Sequence, residues 1–299
     1  SRLTDHNQPM QPASDSLIGQ IHEPVIVHEP DVRSSPFIFA SPHSGRCYES
    51  DFLKQASAPV SVLRRSEDAY VDQFFAHVTE LGASFVEAIF PRAFVDPNRG
   101  PDELDARLFK DPPLEGFSAP NARTSAGLGV VPRLAADGRS IHASEIAYAE
   151  GRRRIDQYYR PYHEALKSEI ERTLDQFGRA VLIDCHSMPS SSARGADMVL
   201  GDRFGASCGR NLINHAEAYF KSLGFTVTRN RPYAGGYTTE HYGRPLSGVH
   251  VMQVEINRGL YLSESDVRPL SRMDNLKERL KTWTKSMIYT EDTGRLAAE

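Results

Sequence analysis

The chain has 299 residues, 39% of them hydrophobic and 25% charged, enough to bury one large core without a disulfide or structural metal to hold it. A formal charge of -4, with acidic and basic residues scattered along the chain, provides no extended basic face, which argues against nucleic acid or an anionic membrane as principal partner and leaves small charged molecules. No apolar run approaches the ~20 residues of a membrane span, residues 1–12 do not read as a signal peptide, and Cys47, Cys185 and Cys208 lack CxxC spacing, so free thiols in a cytoplasmic protein are expected.

Residues 1–20 are polar and aperiodic and predict a loose arm ahead of a single folded domain over 21–299. The apolar run Phe37-Ile38-Phe39-Ala40 reads as a buried strand that delivers His43 into the turn Ser41-Pro42-His43-Ser44-Gly45. Val71, Phe74, Phe75, Val78 and Leu81 recur at helical spacing and stop at Gly82. Strands are expected over 83–90 and 93–95, the second running into Asp96-Pro97-Asn98-Arg99-Gly100. Residues 111–138, rich in Gly, Pro, Ala and Ser, predict a long loop or lid. A helix over 144–177 follows, with Pro161 expected to break or kink it and Arg152-Arg153-Arg154 forming a solvated face.

A second buried strand, residues 180–185, leads straight into His186, repeating the strand-then-histidine arrangement. A short strand at 198–200, a helix at 207–223, a strand at 226–229, a final strand at 249–256 and a closing helix at 264–289 complete the order. Strands alternating with helices imply an α/β fold, a mixed and mostly parallel sheet with helices on both faces, and a site at the carboxyl ends of the strands.

Parallel neighbouring strands would present His43 and His186 at one sheet edge, and a catalytic zinc takes three ligands from His and carboxylate plus an open position. Either histidine alone could equally cap a turn. Glu255 lies in a strand that otherwise looks buried, where an unpaired carboxylate is costly. A nearby cation, a pKa raised to suit a general base, or an ion pair with Arg258 would each account for it. Asp96, Asn98 and Arg99 follow an apolar run, in a turn where an Arg fork and an Asn amide can meet an anionic group. No phosphate-binding loop occurs, and neither Ser44 nor Ser187 sits in Gly-x-Ser-x-Gly.

Together, Ser-Pro-His43-Ser-Gly, Ser-Glu-Asp68, Asp96-Pro-Asn98-Arg99, Arg160-Pro-Tyr162-His163, Asp184-Cys-His186-Ser, Gly205-Ala-Ser-Cys208, Gly-Gly236-Tyr, His241-Tyr-Gly and Gln-Val-Glu255-Ile-Asn resemble, in this order, the N-formylglutamate amidohydrolase family over about residues 36–262. That family is similar to zinc carboxypeptidases and aspartoacylase-like deacylases. The resemblance implies one Zn2+ per chain held by His43, His186 and a carboxylate, with Glu255 activating water and Asn98 and Arg99 binding a substrate carboxylate. Asp96 joins that substrate-binding group, and Arg92 or Arg194 is expected to take a second carboxylate.

The residue three after His43 is Arg46, where carboxypeptidases have Glu, so the third ligand is expected to be Asp68, with Glu67 as alternative; helical phasing places Glu67 nearer the apolar face. The implied substrate is a small anionic N-acyl amino acid, N-formyl-L-glutamate first. A zinc deacylase or carboxypeptidase with another N-acyl amino acid, and a metal-free binding protein for acidic metabolites, are the competing readings.

Overall fold

The computed structural model describes residues 17–292. Among them seven strands form the main sheet: β1 (Val25–His28), β2 (Phe37–Ser41), β3 (Ser84–Ala88), β4 (Ala180–Met188), β5 (Met198–Gly201), β6 (Val227–Arg229) and β7 (Val249–Asn257). Their spatial order is β1-β3-β2-β4-β7-β5-β6. The central strands β3, β2, β4 and β7 are mutually parallel. Both β1 and β5 run antiparallel to their inner neighbours, and β6 pairs parallel to β5.

The central strands are apolar because both their faces are covered. All residues of β2 and β4 are buried, whereas edge strand β1 is only half-buried. Alternation divides the core in two. Ile38, Ala40, Leu182 and Val251 pack with Tyr162, Leu166 and Ile170 of the helix Arg160–Phe177. On the opposite face, Phe39, Ile183, Met252 and Val254 meet Leu212, Ala216 and Phe220 of the helix Arg210–Ser222, and Leu280 and Trp283 of the helix Met273–Asp292. Helices therefore cover both faces, as expected.

From β2 the chain moves to β3 on one side, then returns across β2 to place β4 on the other. Such a reversal opens a crevice beyond the carboxyl ends of the two diverging strands. His43 lies just past β2 and His186 near the end of β4, so the crevice falls between the two histidines.

Several elements differ from the sequence-based expectation. Residues 93–95 form a turn, with the Phe94 N–H donating to Pro91 O at 2.9 Å; their apolarity reflects packing, Phe94 meeting Phe52 and Tyr158 edge-on. The strand expected at 180–185 continues to Met188 because its end stays paired with β7, so His186 is a strand residue. The closing helix begins at Met273 rather than 264, since Leu262–Ser263 and Arg268–Pro269 pair as a small ribbon and Pro269 cannot serve a helix interior.

Pro161 does not break its helix. The α-helix Tyr148–Arg154 passes through a π turn, Ile155–Tyr159, into Arg160–Phe177, and the wider turn accommodates a ring with no N–H to give. Arg154 is not on a solvated face: it is fully buried, 2.9 Å from Glu150 Oε1, donating to Phe94 O at 3.2 Å and lying over the Phe94 ring. Most of the expected arm, residues 1–16, and the end of the expected domain, 293–299, lie outside the described residues. Ile18 and Gly19 run along Tyr48, the Gly19 N–H donating to Tyr48 O at 3.1 Å. Residues 111–138 are mostly irregular with one short helix, Ala122–Ser125. The three cysteines are free thiols, and no helix of the described residues is long and apolar enough to cross a membrane.

Candidate active site

Register builds the centre of the site. Ala40 of β2 is level with Asp184 of β4, so His43, three residues further, arrives beside His186. Its turn sits tightly against the end of β3. A Cβ on Gly45 would come within 2.1 Å of Phe90 O, so only glycine lets the turn approach this closely. On the other side of β4, His186 is the register partner of Glu255 in β7. Asp68 is brought in by its own backbone, its N–H donating to His43 O at 3.0 Å.

His43 Nδ1 and His186 Nδ1 stand 3.2 Å apart, and Asp68 Oδ2 lies 3.3 Å from the first and 3.1 Å from the second. All three side chains are buried. The outer ring nitrogens are already committed: His43 Nε2 meets Asp96 Oδ1 and His186 Nε2 meets Asp184 Oδ2, each at 2.7 Å. A carboxylate at Nε2 keeps the proton there, which leaves the Nδ1 lone pairs facing a common point with Asp68 Oδ2. Two lone pairs aimed at each other repel unless a cation lies between them, and carboxylate-backed histidines are the usual support of a metal. The donor set fits a divalent ion.

Electrostatics agree with that fit. Burial alone would raise the Asp68 pKa, but His186 and then His43, both beside its carboxylate, hold it well below the usual carboxylate range. Burial opposes charge on His186, yet Asp184 and Asp68 more than offset it and raise its proton affinity well above that of an ordinary histidine. A pocket that attracts a proton so strongly attracts a cation for the same reason. Glu255 is pushed up to about 7, first by burial and also by Asp68, against the pull of His186, Arg92 and Arg258.

Glu67 points elsewhere. Its carboxylate accepts from Tyr48 OH at 2.8 Å and meets Arg64 Nε at 3.2 Å. Helical phasing could not separate it from Asp68 because the helix Val71–Phe75 starts only after both residues, with Tyr70 in the left-handed region at φ 65°.

A family profile described as N-formylglutamate amidohydrolase matches residues 35–262. The chain belongs to the N-formylglutamate amidohydrolase family. It is 30% identical over 265 residues to N-formylglutamate deformylase of Pseudomonas aeruginosa and 28% identical over 261 residues to that of Pseudomonas putida, each alignment covering 85% of this chain and 91% of the relative. The crystal structure of N-formylglutamate amidohydrolase from Ralstonia eutropha JMP134 superposes with a TM-score of 0.82 at 33% identity, covering 87% of this chain and 95% of that one. A gene product of Agrobacterium tumefaciens shares the fold at a TM-score of 0.53 and 17% identity.

The stretch matched to the N-formylglutamate amidohydrolase family contains the whole cluster and the turn expected to bind substrate. Asp96 is heavily engaged there: beyond His43, its Oδ1 accepts the Asn98 N–H at 2.9 Å and its Oδ2 accepts from Arg92 at 3.2 Å. Asn98 Oδ1 accepts the Thr238 N–H at 3.0 Å. Arg99 donates through Nε to Leu128 O at 3.0 Å and through Nη1 to its neighbour's carbonyl at 2.9 Å, while burial draws its pKa down to about 10, leaving it charged near neutrality. Arg92 is partly exposed and also lies 3.5 Å from Asp68 Oδ1. Arg194 is exposed on the turn after β4, at φ 51°. Residues of the 111–138 segment brace this turn, Val130 O accepting the Asp96 N–H at 2.7 Å.

Two neighbours of the cluster, Asp184 and Gln253, carried no assigned part in the sequence reading, and Arg258, weighed there as an ion-pair partner of Glu255, pairs with Asp68 instead. Asp184 backs His186, Arg258 Nη2 donates to Asp68 Oδ1 at 2.8 Å, and Gln253 Nε2 donates to Glu255 Oε1 at 2.9 Å. The available signal was period two: Asp184 and Gln253 each lie two residues before His186 and Glu255, on the same strand face. Arg258 offered no comparable signal, because its approach depends on the chain turning after β7. His163 of the Arg-Pro-Tyr-His motif holds the turn that carries Asp96, Asn98 and Arg99, donating to Pro97 O at 2.8 Å.

Proposed function

We propose that this chain is a zinc-dependent amidohydrolase that cleaves N-formyl-L-glutamate, or a close N-acyl amino acid, to formate and L-glutamate. The observation that carries the reading is the convergence of His43 Nδ1, His186 Nδ1 and Asp68 Oδ2 on one point, with both outer imidazole nitrogens backed by carboxylates. The curated relatives are N-formylglutamate deformylases, which supports the choice of substrate.

One zinc per chain would be held by those three residues and would supply Lewis acidity, acidifying a water and polarising the acyl carbonyl. Glu255, in register with His186, takes a proton from the attacking water and returns it to the departing amine. Burial favours its protonated form, which suits a carboxyl group that must both accept a proton and give it back. Arg99 and Asn98 hold the substrate carboxylate, and Arg92, at the rim of the cluster, takes the second. This positioning makes the encounter effectively intramolecular. Asp96 serves better as the support of His43 than as a substrate contact, since both its oxygens are already bonded.

The test is formate release from N-formyl-L-glutamate before and after chelation, with zinc, iron and manganese added back. Loss on chelation and recovery with zinc is the expected outcome. Undiminished activity in a metal-free chain overturns the metal assignment, and no formate with full turnover of another N-acyl amino acid overturns the substrate.

A further inference from the structure

Gln253 sits on the face of β7 that also carries Val249, Val251 and Glu255, and it is 4% exposed. Burying a primary amide among apolar neighbours costs free energy unless its groups are hydrogen-bonded. Both ends of this one are engaged: the Gly236 N–H donates to Gln253 Oε1 at 3.2 Å, and Gln253 Nε2 donates to Glu255 Oε1 at 2.9 Å. The amide cannot be reversed, because a backbone N–H must face an oxygen and a carboxylate must face a donor.

The Gly236 end is itself clamped. A Cβ at this position would lie 2.4 Å from Asn98 Nδ2 and 2.6 Å from Asn98 Oδ1, so the loop rests directly on the asparagine amide. Two residues later the Thr238 N–H donates to Asn98 Oδ1. A continuous run of contacts therefore joins Asn98 on the substrate-side turn, through the Gly236 backbone and the Gln253 amide, to one oxygen of Glu255.

We propose that Gln253 is a positioning residue for the reaction: it pins Glu255 Oε1 so that Oε2 faces the reacting water, and the Gly236 loop seated on Asn98 sets that hold. The proposal rests on the reading of Glu255 as the base. Oε2 takes the water proton and later gives it to the amine leaving group, so no net proton is gained or lost by the pair. A glutamine that only stabilised the loop would leave turnover unchanged once the protein had folded.

The experiment uses metal-loaded chain and N-formyl-L-glutamate, measuring formate release. Gln253→Met keeps the side-chain length and removes both polar ends; kcat is expected to fall on the order of 10- to 100-fold, with KM changing less than about twofold and metal content unchanged. In a Glu255→Asp background the carboxylate is drawn back by one methylene, beyond the amide, and adding Gln253→Met should cost less than about twofold in kcat. An unchanged kcat, or an equal loss in both backgrounds, overturns the proposal. Should the methionine variant not fold, Gln253→Leu likewise removes the donor to Glu255 without adding charge, and the same kcat loss is expected, with full activity overturning the proposal. The underlying reading fails separately: full activity in Glu255→Gln removes the base itself, whereas an inactive Glu255→Gln beside a fully active Gln253→Met removes only the positioning role.

Discussion

His186 and Glu255 are register partners on the adjacent parallel strands β4 and β7, so a candidate metal ligand and a candidate base stand side by side on one face of the sheet. Neither depends on a loop for its position. A carboxylate held by a paired strand keeps its place beside the neighbouring imidazole without flexible intermediates, which is what a reaction governed by orientation would require.

If Glu255 is the base, removing its charge while keeping its shape separates chemistry from metal binding. Glu255→Gln should retain stoichiometric metal and the thermal unfolding temperature of the parent while kcat falls by roughly 10²- to 10⁴-fold. Metal analysis beside formate release is the check, and parental turnover would remove Glu255 from the mechanism.

Asp96 is expected to act through His43. Asp96→Asn can place its carbonyl oxygen at Nε2 but carries no charge, and its amide can turn a donor there instead, so metal affinity should fall by about 10- to 100-fold. Competition with a chelator measures this directly; unaltered affinity would leave Asp96 as a substrate contact, as its turn sequence first suggested.

Gly45→Ala places a methyl group 2.1 Å from the Phe90 carbonyl oxygen, where no side-chain rotation relieves the clash. The turn must shift and carry His43 with it. A loss of about 1–3 kcal/mol in denaturant unfolding is expected, together with weaker metal binding. Parental values in both measurements would show that the turn has slack which its packing does not suggest.

His142 provides a test of acid stability away from the site. Its Nε2 accepts from Arg154 Nη1 at 3.0 Å, so the buried ring is neutral, and burial first and Arg154 second lower its pKa to about 3. The unfolded chain titrates this ring near its ordinary value of about 6.5. Above that pH neither state is protonated and the native arrangement keeps its full stability. As pH falls below it only the unfolded state gains the proton, so stability declines toward pH 3 at up to about 1.4 kcal/mol per pH unit. His142→Gln, which can still offer Arg154 an acceptor but does not titrate, should lose less stability than the parent between pH 7 and pH 5 in urea titrations; parallel losses would contradict the assignment.

The order of elements and the candidate residues that the fold gathers at one end of the sheet were legible in the chain itself. An unbroken apolar run such as Phe37-Ile38-Phe39-Ala40 has few homes other than a strand covered on both faces. The alternation of Val251, Gln253 and Glu255 against Met252, Val254 and Ile256 placed a carboxylate on a defined strand face before any packing was known. Local patterns mislead where burial comes from distant contacts. The apolar residues 93–95 look like a strand but form part of a turn whose Phe94 packs on Phe52 and Tyr158, and Arg154 looks solvated but is enclosed by Glu150, His142 and Phe94.

Sequence alone therefore determined which side chains could take part: two histidines following apolar strands, an acidic pair, and a glutamate inside a strand. Only the tertiary structure separated Asp68 from Glu67, gave Asp96 and Asp184 to the two imidazoles, and seated Gly236 on Asn98. The reason is physical. Composition and periodicity report each residue's preference for water or for the interior, whereas ligation and hydrogen bonding depend on angles and distances between groups that lie as many as 143 residues apart, which exist only once register and strand order bring them together.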